Sequence, residues 1–65
     1  MDIGHLQGKQ ITLVVGNIGI KGRLKEIKKE YILLESVTMD IYVDPDKVVY
    51  VSVEKEDQEE GRILH

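Results

Sequence analysis

Apolar residues recur at every second position early in this chain: Ile11, Leu13 and Val15 alternate with Thr12 and Val14, and Ile18 and Ile20 resume the alternation after Gly16 and Asn17. A period of two marks a strand with one covered face, because successive side chains leave a pleated backbone on opposite sides. Gly16 and Asn17 both tolerate positive φ, so they predict a two-residue hairpin turn. Pairing Val15 with Ile18 then sets Leu13 opposite Ile20 and Ile11 opposite Gly22. This register puts the apolar residues on one face and Thr12, Lys21, Arg23 and Lys25 on the other. A slip of one residue would destroy that agreement.

The pattern changes at Tyr31 to Leu34, which is apolar on both sides, as in a strand covered on both faces or joined to another subunit. A short strand follows at Ile41 to Val43, Asp44-Pro45-Asp46-Lys47 breaks the chain, and Val48 to Val53 forms a last strand. Before the first strand, Ile3 and Leu6 stand at helical spacing between Asp2 and Gly8, enough for one turn. The expectation is an all-β domain of five short strands with a short N-terminal helical turn.

Length sharpens this picture. A chain of 65 residues makes one domain that buries only about 60% of its unfolded surface. There is no cysteine, hence no disulfide or thiolate metal site, and oligomerisation is the natural source of further stability. The start Met-Asp-Ile-Gly-His does not read as a signal peptide, and no apolar run reaches the ~18 residues of a membrane span. The expectation is a soluble, cytoplasmic protein with no membrane partner.

Charge divides the chain in two. The net charge is -3, from 9 Lys and Arg against 12 Asp and Glu, and five of the acids (Glu54, Glu56, Asp57, Glu59 and Glu60) lie in the last twelve residues. Setting those aside with Lys55 and Arg62 leaves 7 basic and 7 acidic residues in a neutral body. The sequence therefore predicts a folded domain over residues 1–53 and an acidic, mostly disordered tail over 54–65.

Five strands in this order after a short amphipathic start resemble the Sm-like family of small barrels, in the form that bacterial Hfq gives it. The resemblance covers Leu6 to Val53. It is carried by Gly22-x-Leu24-x-x-Ile27, by the apolar strand Tyr31-Ile32-Leu33-Leu34, and by Val43 with Val48-x-x-Val51. It implies a five-stranded Sm-like (SH3-like) barrel in which the strand at Ile41 to Val43 pairs with the last strand of a neighbour. Subunits so joined form a homo-oligomeric ring of about five to seven. On that reading Ile41, Val43, Val49 and Val51 belong to the subunit interface, and Asp44 and Asp46 lie near the central pore.

The resemblance also implies RNA binding, but the residues that perform it in the family are replaced. Lys28 stands where the family has an aspartate, and Glu30 stands where Hfq has an aromatic ring that stacks on a base. Asp44-Pro45-Asp46 replaces a motif that supplies cationic and polar contacts to RNA. Acids repeated around a ring axis would repel phosphate, so the usual uridine pocket is not expected.

Another route to RNA remains. Lys21, Arg23, Lys25, Lys28 and Lys29 place five cations within nine positions, a stripe suited to tracking phosphates. Alternating cations also keep an exposed strand soluble and unpaired, so the stripe by itself does not choose between the two uses. Two functions therefore stand: an RNA-associated ring that binds through this basic hairpin, or a protein-binding or scaffolding ring without nucleic acid.

Chemistry of other kinds finds little support. Asp40, Asp44 and Asp46 lack the glycine and terminal glutamate of a calcium loop, so no metal is expected. His5 and His65 stand at opposite ends, and Ser36 and Ser52 have no partner base at persuasive spacing. Gly16, Gly19 and Gly22 fall within a hairpin rather than between a strand and a helix, so they make no phosphate loop. No catalytic residue and no cofactor is expected.

Overall fold

The computed structural model describes residues 2–55. The expected acidic tail therefore lies, apart from Glu54 and Lys55, outside the described residues. A single 3-10 turn, η1 (Gly4–Leu6), precedes β1 (Gln10–Val15) and β2 (Ile18–Ile27). Then come β3 (Ile32–Glu35), β4 (Asp40–Val43), the 3-10 turn η2 (Pro45–Lys47) and β5 (Val48–Val53). All neighbouring strands are antiparallel, in the order β4-β3-β2-β1-β5.

The first hairpin has the register that its sequence dictates: Val15 pairs with Ile18, Leu13 with Ile20 and Ile11 with Gly22. Ile11 and Leu13 are fully buried because this is the only register that sends both toward the core. Of the two turn residues, Gly16 alone has positive φ, at 66°. A glycine at the first central position followed by negative φ is the sign pattern of a type II′ turn, whose twist suits a hairpin.

Two bulges, which the pattern of apolar residues does not announce, change the phase of the sheet. Leu24 pairs with Leu34 and Glu26 with Leu33, so Lys25 is an extra residue in β2. Without it the strict alternation would turn Glu26 toward the core. The bulge instead sends Glu26 to the outer face and lets Ile27 pack against the core beside Ile32. The Gln7 side chain donates a 2.9 Å hydrogen bond to the Lys25 carbonyl, which ties η1 to the bulge. The second bulge, at Val49, separates Tyr50, opposite Val14, from Val48, opposite Val15.

The expected barrel is present only as an open sheet. β4 and β5 lie at opposite ends of the strand order with no ladder between them, so the sheet does not close. It is nevertheless curled. From Val43 to Val48 the chain, passing through η2, can span at most about 15 Å, whereas the two edges of a flat five-stranded sheet would lie about 19 Å apart. The core fills this bend with Ile11, Leu13, Leu24, Ile32, Leu34 and Val43, and Ile3, just before η1, and Leu6, its last residue, cover it. Those two buried residues are the reason for the N-terminal turn: a three-residue helix has little stability of its own and is held by the apolar side chains it inserts.

Candidate nucleic-acid interface

The five cations singled out from the sequence are all exposed, but they do not form one continuous patch. Lys21 sits on the outer face opposite Thr12, whose other neighbour is Ser52, so a row of two hydroxyls and one ammonium crosses β5, β1 and β2. Arg23 lies one row further, between Gln10 and Glu35. Lys25 protrudes at the bulge. Lys28 and Lys29 occupy the connection to β3, where the Lys28 N–H donates to the Tyr31 carbonyl at 2.8 Å. Seven residue steps lead from Lys21 to Lys28, about 23 Å at strand rise.

Glu35 divides the stripe further. Its carboxylate lies 3.8 Å from Arg23 Nε and 3.6 Å from Lys25 Nζ, so one acid faces two of the five cations. All three side chains are substantially exposed, and each pair contributes under about 1 kcal/mol to stability. Their consequence is electrostatic: the middle of the stripe is partly neutralised. The extended alternation of β2 does not reveal this contact, because the bulge at Lys25 sets which residue of β3 stands opposite Arg23.

At the other end, Lys28 and Lys29 line a shallow depression with Ile27, Pro45 and Asp46. Asp46 thus stands beside the turn cations. Asp44 is committed locally: its Oδ1 accepts the Asp46 N–H at 3.0 Å and caps η2, the usual work of aspartate before proline in a turn. Glu30 is exposed in the β2–β3 connection, so the position that carries a stacking ring in the resembled family presents a carboxylate to solvent.

The aromatic residues are elsewhere. Tyr31 and Tyr42 meet edge to face, with ring centroids 5.0 Å apart at 71°, and the Tyr31 hydroxyl donates to Glu26 Oε1 at 3.0 Å. That hydrogen bond, then partial desolvation and the nearby Glu26 charge, raise the Tyr31 phenol above its ordinary value. Leu33 projects from β3 on the same outer face, between Glu26 and Tyr42, and is buried there. This small outer cluster explains why Tyr31 to Leu34 is apolar at every position. Its members Glu26 and Tyr42 could not be foreseen, since neither the bulge nor the β3–β4 register has a local sequence signal.

Of the residues assigned to a subunit interface, Val43 is buried in the core, and Ile41 and Val51 are half-buried against it. Val49 is exposed at the bulge of β5. Among the described residues no three His, Cys, Asp or Glu gather as metal ligands would, and no helix is long and apolar enough to cross a membrane. Compared with known protein families, with curated proteins and with solved structures, the chain matches none.

Proposed function

We propose that this chain is a noncatalytic, cytoplasmic Sm-like module that assembles into a homo-oligomeric ring and associates with RNA through the exposed cations of β2 and its following turn. One observation carries the assembly: the curled sheet ends in two edge strands, β4 and β5, each paired on one side only. Bare strand edges are templates for pairing, and head-to-tail pairing of β4 with the β5 of another copy repeats around an axis until it closes. Curvature favours closure, since each added copy continues the same bend.

RNA association rests on Lys21, Lys28 and Lys29, with Arg23 and Lys25 shared between Glu35 and a phosphate chain. The usual uridine pocket has no part in this reading, because Lys28, Glu30 and Asp44 to Asp46 do not supply its contacts. Ring symmetry multiplies a weak patch, so several modest sites on one strand of RNA act together.

The pairing of Arg23 and Lys25 with Glu35 favours a second reading, a scaffolding ring that binds protein and no nucleic acid. Salt dependence separates the two. An RNA-associated ring binds mixed-sequence single-stranded RNA with affinity that falls steeply as salt rises, and the variant Lys21→Glu, Arg23→Glu, Lys25→Glu abolishes that binding while its thermal unfolding stays near that of the parent. Absence of salt-dependent binding to uridine-rich, adenine-rich and mixed RNA at micromolar concentration leaves the scaffold.

A further inference from the structure

The two free edges are not merely bare; the residues they expose fit each other in one register. Along β4 the outer face carries Asp40 and Tyr42, opposite Glu35 and Leu33, while Ile41 and Val43 point inward. The alternation places Met39, just before β4, on the inward side. Along β5, beyond its bulge, Tyr50 and Ser52 face outward opposite Val14 and Thr12, and Val51 and Val53 face inward. Five of these residues are large apolar groups left exposed in the single chain: Met39 59%, Tyr42 62%, Val49 64%, Tyr50 58% and Val53 43%.

We infer that β4 pairs antiparallel with β5 of a second copy so that Tyr42 stands opposite Tyr50 of that copy. This rests on the ring assembly proposed above and adds its register. With Tyr42 against Tyr50, Ile41 meets Val51, Asp40 meets Ser52 and Met39 meets Val53, and Val43 meets the bulged Val49. Inward Met39 and Ile41 face inward Val53 and Val51, Val43 meets the exposed bulge residue, and all five exposed apolar groups gain a partner. The Tyr31–Tyr42 contact is extended across the boundary into a row of three rings.

Charge and alternation disfavour the neighbouring registers. A slip of one residue sets outward side chains against inward ones. A slip of two in one direction puts Asp40 opposite Glu54 and Asp44 opposite Tyr50, which sets like charges face to face and leaves the tyrosines apart. A slip of two in the other direction sets Val43 against Lys47 at the covered face.

Because the chain has no cysteine, introduced pairs report the register cleanly. Directly opposed residues have Cβ atoms about 4.5–5.5 Å apart and diagonal ones about 7–8 Å, so only the former oxidise readily. The double variant Asp40→Cys with Ser52→Cys keeps both tyrosines, and on mild oxidation it is expected to give a ladder of covalent multimers on a non-reducing gel. The double variant Tyr42→Cys with Ser52→Cys, which matches the slip of two, is expected to stay at least tenfold less cross-linked. The reverse preference overturns the register, and so does an oligomer in which neither pair cross-links. If the unsubstituted chain sediments as a monomer, the ring assembly fails, and the register fails with it for that separate reason.

Discussion

A methyl group placed on Gly22 would lie 3.0 Å from Leu34 Cβ and 3.2 Å from the Glu35 carbonyl oxygen. Gly22 stands beside the end of the β2–β3 ladder, one residue beyond the Arg23–Glu35 pair, and neither neighbour can withdraw: Leu34 is fully buried and the carbonyl belongs to the sheet. Gly22→Ala is therefore expected to destabilise the fold by about 1–3 kcal/mol in urea unfolding, the usual magnitude of overpacking. Gly4→Ala, where nothing lies within 4 Å of the added methyl, should change stability by less than about 0.5 kcal/mol.

The hairpin explains how much of this was legible. The pairings of Val15 with Ile18 and Leu13 with Ile20 follow from the sequence because burial of one face admits a single register. Strand β5 and the break at Asp44 to Lys47 were equally readable, from β-branched residues and turn chemistry. The bulges at Lys25 and Val49 were not, since a bulge relieves a mismatch between twist and register that arises only when distant strands pair. Glu35 was consequently missed as the partner of Arg23 and Lys25. The outward row Asp40, Tyr42 and the bare edge of β4 depend on which strands lack neighbours, a property of the whole topology.

Gln7 is the second point where local chemistry serves the bend. Its amide is the donor to the Lys25 carbonyl, and Lys25 has no ladder partner in β3. Replacing Gln7 by Ala should lower stability by about 0.5–1.5 kcal/mol and speed hydrogen exchange at Leu6 and Lys9, whose N–H groups are bonded within the same N-terminal segment.

Tyr31 makes stability depend on pH at the alkaline end. Its folded-state phenol is raised above the ordinary value of 10.0, so the folded chain holds this proton more tightly than the unfolded chain. The contribution is fully present below pH 10.0 and is lost as pH rises through the folded-state value. Phenolate absorbance should show a step above pH 10.0 that Tyr31→Phe removes, and Glu26→Gln should move that step down by weakening the hydrogen bond and removing the charge that faces the phenol.

If the chain associates with RNA as proposed, removal of Glu35 should strengthen that association. Glu35→Gln frees Arg23 and Lys25, with a change in stability under about 1 kcal/mol because both pairs are exposed. If both cations then reach phosphates, the dependence of affinity on salt steepens by up to about 1.4 in log–log slope for single-stranded RNA. Affinity at low salt should rise with it, read by fluorescence anisotropy. An unchanged slope would place Arg23 and Lys25 outside the RNA path.

Mass in solution bears most directly on the central claim, that the open edges β4 and β5 complete each other between copies. Light scattering on the full chain at tens of micromolar should return a single species at an integral multiple, about five to seven, of 7.4 kDa, unchanged on tenfold dilution, as a closed ring requires. A stable 7.4 kDa monomer at that concentration, or a mass that climbs steadily with concentration, would contradict it.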